Sequence, residues 1–141
     1  MALSKEEREQ FLAEPHVAAL SVSAGDNRGP LTVPIWYQYS PGGEPWILTG
    51  PGSRKARLIE ATGFFSLMVE RVVPTTRYVA VDGAVSRIEP GTDAQMEELA
   101  YRYLPEDAAV RYLEFAKANL GEHVAIYLQP QHWLSSDMGS F

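Results

Sequence analysis

Three cations open a segment whose geometry by itself favours an anion. In GPGSRKARLIEATG, Gly50, Pro51 and Gly52 supply a tight turn, Ser53 can cap a helix, and Arg54, Lys55 and Arg57 follow in its first turn. The unpaired N–H groups and positive dipole end of a helix start attract anions, and helices normally place acidic residues there and basic ones in the last turn. The reversed order points to a bound phosphate or carboxylate. A solvated basic turn paired with Glu60 is the plainer alternative, because exposed ion pairs are common and nearly neutral in energy.

Other reactive residue types are sparse. The chain has no cysteine, which excludes disulfides, thiolate metal sites and a cysteine nucleophile. His16, His123 and His132 are too scattered for a metal motif, so no metal site is expected. Ser135, Ser136 and Asp137 near His132 lie in a tail without a nucleophile elbow, and no G-x-G-x-x-G or P-loop fingerprint is present. Redox chemistry would therefore need a bound cofactor. A formal net charge of -6 repels nucleic-acid phosphates, and no long Lys/Arg run offsets it, so nucleic acid is not an expected partner.

The elements that must position the basic turn can be read from periodicity and punctuation. The 141 residues show no composition break and suggest one domain spanning 1–141. Ser4 and Glu7 have capping-box spacing, so residues 4–13 read as a helix. Residues 16–23 form a short apolar run, followed by turn chemistry at 26–29. LTVPIWYQY over 31–39 alternates apolar and mixed positions as one strand, with Pro34 demanding an edge or a bulge. Pro41, Gly42 and Gly43 turn into a strand at 46–49. After the basic helix, which ends near Gly63, residues 64–70 and 77–88 are extended, the second bending at Asp82 and Gly83.

Thr92 with Gln95 repeats the capping box, and Met96, Leu99, Ala100 and Tyr103 make a helical stripe. A second helix from near Pro105 to Gly121 completes a helical hairpin. Residues 123–129 read as a last strand, and 130–141 as an irregular tail carrying Trp133 and Phe141. The whole is mainly β with helices: an antiparallel barrel with helical excursions, not alternating βαβ units.

Thr49 followed by GSRKARLIE, then Phe65, Ser66 and Leu67, resembles the FMN-phosphate segment of pyridoxamine 5'-phosphate oxidase and its split-barrel relatives. The resemblance implies a six-stranded antiparallel split β-barrel. It also implies phosphate contacts from Thr49, Arg54 and Lys55, with Ser53 and Arg57 as further candidates. The preceding strand would pass the flavin ring at Val33, Pro34, Ile35 and Trp36. The VPIWY run is similar to a pattern of the branch that binds the deazaflavin coenzyme F-420. Trp36 has a second reading as a core or dimer-interface aromatic.

Departures from the oxidase pattern bear on the substrate. Tyr37 stands where the oxidase has a substrate-binding lysine, Tyr78 where it has a flavin-contacting glutamine, and the tail lacks its arginine and histidine pair. Pyridoxamine phosphate is thus not the expected substrate, and Tyr37 and Tyr78 are candidates for orienting a substrate or donating a proton, or else barrel aromatics. The implied function is an F-420- or FMN-dependent oxidoreductase acting on a small organic molecule. The alternatives are a non-catalytic flavin, deazaflavin or haem carrier, and a barrel that has lost its cofactor. A homodimer follows from the resemblance, with Trp133 or the tail closing the other subunit's flavin. The N-terminus MALSKEEREQFLAEP lacks a signal peptide's apolar stretch and no run is long enough to span a bilayer, so a cytoplasmic protein is expected.

Overall fold

A computed structural model describes residues 1–140; Phe141 lies outside the described residues. The order is α1 (Lys5–Ala13), β1 (Ala18–Val22), β2 (Leu31–Ile35), β3 (Tyr37–Gln38), β4 (Trp46–Thr49), α2 (Arg54–Thr62), β5 (Phe64–Arg71), β6 (Arg77–Pro90), α3 (Asp93–Tyr103), α4 (Glu106–Asn119), β7 (Val124–Leu128) and β8 (His132–Asp137). The strands are antiparallel in the order β2-β1-β5-β6-β7-β4-β3, and β8 pairs with β6. The result is a curled, split half-barrel whose open ends, β2 and β3, are consecutive in sequence.

Eight strands replace the expected six, for two physical reasons. First, the 31–39 run is not one strand, because the Trp36 side chain leaves the sheet and stacks on Tyr103 of α3 at 4.9 Å and 15°. The Tyr103 hydroxyl takes over ladder duty at the break. It accepts from the Tyr37 N–H at 3.1 Å and lies 2.9 Å from the Tyr37 carbonyl and 2.8 Å from that of His16. Second, the tail is not irregular: Trp133 pairs with Val81 and Ser135 with Val79, so its inward residues continue the alternation of β6. Pro34 sits where its missing N–H costs little, on a strand at the end of the sheet.

The long β6 serves two walls. Its first half pairs with β5 and β8, its second with β7, and the register shifts between Val85 and Arg87. The bend is thus at Ser86 rather than at Asp82 and Gly83. Gly83 has a different task, since a Cβ there would lie 1.8 Å from the Gln129 carbonyl oxygen.

Two apolar layers follow from the strand faces. Leu20, Leu67, Val69, Val79, Val81, Ile126 and Leu128 fill the barrel, closed by Phe11 and Leu12 of α1 and by Ala56 and Ile59 of α2. Fully burying each large aliphatic side chain stabilises the fold by about 1.5–3 kcal/mol. On the opposite face of β4 and β7, Leu48, Ala125 and Tyr127 pack against Leu99, with Trp36, Trp46, Met96 and Tyr103 around them. This second layer holds the α3–α4 hairpin on the sheet.

Candidate functional site

The basic turn grows directly from β4. Thr49, 5 % exposed, ends that strand opposite Val124, and its Oγ1 lies 3.0 Å from Ser53 Oγ. Ser53 is extended (φ -65°, ψ 154°) and accepts from the Ala56 N–H at 3.2 Å, which satisfies one of the orphan donors of α2. Gly63, at φ 76°, closes the helix in the left-handed region. Ala56 and Ile59 dock α2 into the barrel, so its N-terminus is held rigidly at the end of β4.

Two backbone donors of that turn are left over. Among the described residues the N–H groups of Arg54 and Lys55 have no acceptor. Arg54 and Arg57 are exposed, Lys55 is half-buried, and among the described residues none of the three forms an ion pair or a side-chain hydrogen bond. Glu60 is also exposed and forms no ion pair with them, so the paired basic turn is not what the structure adopts. Uncompensated cations, free N–H groups and the one hydroxyl proton that the Thr49–Ser53 pair leaves over form a donor set that fits a phosphate.

The sheet register brings the second half of the site alongside. Tyr37 pairs with Ile47, and Trp36, one residue before it, packs in the cluster of Leu48, one residue after Ile47. Pro34, Ile35, Trp36 and Leu48 line a cavity of about 310 Å³ under the helical hairpin, together with Val17, Met96, Leu99, Tyr112 and His123. A larger recess, about 600 Å³, shares Met96 and His123 with it and reaches Pro51 of the basic turn. Val17 and Pro34 also border a shallower depression along β2, lined by Val33 and Thr32. Anion turn, strand edge and hairpin cavity are thus neighbours around the split of the barrel.

Trp36 is packed on Tyr103, as its reading as a core aromatic expects, and it also lines the cavity. Val33 turns its side chain towards the barrel core, so only its backbone is available at the strand edge.

Tyr37 requires correction. It is fully buried, its hydroxyl donates to the Leu12 carbonyl at 2.6 Å, and burial pushes its phenol well above the ordinary range. It pins α1 to the barrel and reaches no substrate. Tyr78 lies on the outer face of β6, between Glu70 and Ser136, and is not among the cavity residues. Trp133, expected to close a neighbouring subunit's site, packs inward against Tyr39 of its own chain, with the Arg8 guanidinium 4.6 Å from its ring.

Val17, Leu48, Met96, Leu99, Tyr112 and His123 were not singled out as site residues from the sequence. Met96 and Leu99 read as a helix's core stripe, which they also are. His123 carried no motif, and its place depends on the hairpin folding back over β4 and β7.

No protein-family model matches the chain, and no curated protein sequence matches it significantly. Solved structures do resemble it. An F420 reductase is 24 % identical, with a TM-score of 0.70 over 89 % of this chain and 94 % of its own. A putative pyridoxamine 5'-phosphate oxidase from Listeria innocua is 12 % identical, with a TM-score of 0.61 over 93 % and 96 %. The heme storage protein HutZ from Vibrio cholerae is 18 % identical, with a TM-score of 0.61 over 99 % and 98 %. At these identities the likeness establishes the split-barrel fold, which hosts both redox enzymes and storage proteins. No helix among the described residues is long and apolar enough to cross a membrane.

Proposed function

We propose that this chain is an F-420- or FMN-dependent oxidoreductase acting on a small organic molecule other than pyridoxamine phosphate. The observation that carries it is the basic turn: three cations and two N–H groups with no partner among the described residues, at the start of a rigidly docked helix. Arg54 and Lys55 would hold the cofactor's phosphate, with Arg57, Thr49 and Ser53 in support. The edge backbone of Val33, Pro34, Ile35 and Trp36 would bond the polar rim of the ring. The bound group would supply hydride chemistry. The protein's part is to neutralise the phosphate, orient the ring and shield the site with the α3–α4 hairpin. VPIWY and the likeness to an F420 reductase favour F-420; the SRKA run favours FMN.

A second reading, a flavin, deazaflavin or haem carrier, is favoured by the burial of Tyr37, which removes one of the two tyrosines considered for acid–base work. Both readings include a homodimer. Its support is the outer face of β1, β5, β6 and β8, where Ala19, Met68, Ala80 and an exposed Leu134 form one cross-strand row between rows that carry Tyr78 and Asp82.

The deciding experiment titrates the protein with FMN, F-420 and their phosphate-free counterparts, before and after Lys55→Ala. Tight binding of one phosphorylated form, weakened by the substitution, supports the cofactor site. Turnover of a carbonyl panel by the reduced complex then separates enzyme from carrier, and binding of neither cofactor removes the oxidoreductase and leaves only the haem carrier.

A further inference from the structure

The cavity under the helical hairpin has two polar groups that the fold does not use. Among the described residues neither the Tyr112 hydroxyl nor the His123 imidazole has a hydrogen-bond partner, although each is half-buried and both line the cavity. Neither polar atom is cut off from water, so each can exchange a water for a ligand, whereas their neighbours are taken up by the fold. Tyr103 is engaged by backbone groups of Tyr37 and His16, and the Tyr127 hydroxyl accepts from Gln95. The remaining lining is apolar, including Trp36, Ile35, Leu99 and the adaptable Met96. Its volume of about 310 Å³ suits a bicyclic molecule.

The surroundings set the ligand's charge. The adjoining recess carries Asp93 and Glu122, and the acidic chain adds to the same potential. Asp93 and Glu122 lie next to the Met96 and His123 side that the recess shares with the cavity, whereas the basic turn meets it only at Pro51, so anions are disfavoured on the hairpin side. An aromatic and aliphatic wall with two donors selects a flat, uncharged molecule bearing an acceptor.

We infer that the hairpin cavity is the substrate pocket of the proposed oxidoreductase, taking neutral planar bicyclic carbonyl compounds whose oxygen accepts hydrogen bonds from Tyr112 and His123. This deepens the proposed function and rests on it only for the word substrate; occupancy of the cavity does not require a cofactor. On the proposed function the basic turn would hold the cofactor's phosphate and the backbone edge of β2 its ring, so the side chains that line the cavity would serve a second molecule.

The test uses the full chain and three probes: 1-indanone, the hydrocarbon indane, and the anionic 3-oxoindane-1-carboxylate. Binding is followed by calorimetry and by the indole N–H signal of Trp36 in nitrogen-15 NMR spectra, assigned with Trp36→Phe. Indanone should bind and shift the Trp36 signal, and the carboxylate should bind at least tenfold more weakly. Tyr112→Phe and His123→Leu should each weaken indanone about fivefold, the share of one hydrogen bond, while leaving indane unchanged. Equal losses for indane and indanone would overturn the hydrogen-bond assignment, as would preference for the carboxylate. Repeating the titration with saturating FMN or F-420 separates this inference from the cofactor site. Simultaneous binding supports it, and displacement of indanone makes the cavity the ring's seat and overturns it. If neither cofactor binds yet indanone does, the pocket stands and the oxidoreductase falls.

Discussion

The starts of α2 and α3 use the same device to opposite ends. Each opens with a hydroxyl cap, Ser53 accepting from Ala56 at 3.2 Å and Thr92 from Gln95 at 3.1 Å. At α3 the loop is closed by the helix itself: the Gln95 side chain returns to the Thr92 N–H, and Asp93 supplies the first-turn acid. At α2 no side chain returns, no acid is present, and Arg54, Lys55 and Arg57 stand in its place. One terminus is finished for stability; the other is left unfinished in the manner of an anion site. Stability and binding should therefore respond oppositely to changes at the two helices.

The largest effect is expected at α2. Removing both Arg54 and Lys55 with alanine deletes charge-assisted contacts of about 1.5–3 kcal/mol each, so cofactor affinity should fall by a factor of about 100 or more. The phosphate-free flavin should lose little, and thermal unfolding should stay level or rise because the helix sheds unfavourable charge. A fall in melting temperature without loss of affinity would erase the contrast between the helices. Titration beside a melting curve reads both.

Tyr37→Phe comes next and sharpens the division between barrel and site. It strands the Leu12 carbonyl that the hydroxyl now serves at 2.6 Å and should cost about 1–3 kcal/mol in denaturant unfolding. Turnover per folded molecule should be unchanged; a selective loss of turnover would return Tyr37 to the chemistry.

Thr92→Ala should cost about 1 kcal/mol of stability, the ordinary worth of a cap, and leave cofactor affinity untouched. Affinity that follows this substitution would mean that the hairpin, rather than the basic turn, governs binding.

The smallest effect is one of pH. Asp137 is held down to about 2 by the Gly139 N–H, the Thr75 hydroxyl and Arg77, well below its ordinary 3.8. Because the folded value is the lower one, its stabilisation is complete above the unfolded value. It drains away as pH falls from about 4 through 2. Asp137→Asn should flatten that part of an acid-unfolding profile and alter neither α2 nor the cavity.

Much of the fold was legible because its signals are local. Capping boxes at Ser4 and Thr92, turn residues at Gly50–Gly52 and strand alternation depend on neighbours within a few positions. The breaks in those signals were tertiary. Nothing within 31–39 announces that Tyr103, some 66 residues after Tyr37, will split the strand. Nor does the tail reveal β6 as its partner. The basic turn could be read because charge order against a helix dipole is a property of consecutive residues.

By itself the sequence determined a cysteine-free, acidic, mainly β chain with an anion-seeking helix start. Composition and near-neighbour spacing need no three-dimensional input. Only the tertiary structure decided that Tyr37 is core, that Trp133 packs within its own chain, and that Tyr112 and His123 meet Trp36 around one cavity. Those outcomes depend on how the strands pair and where the hairpin docks, and contacts between distant segments are fixed by packing rather than by any local pattern.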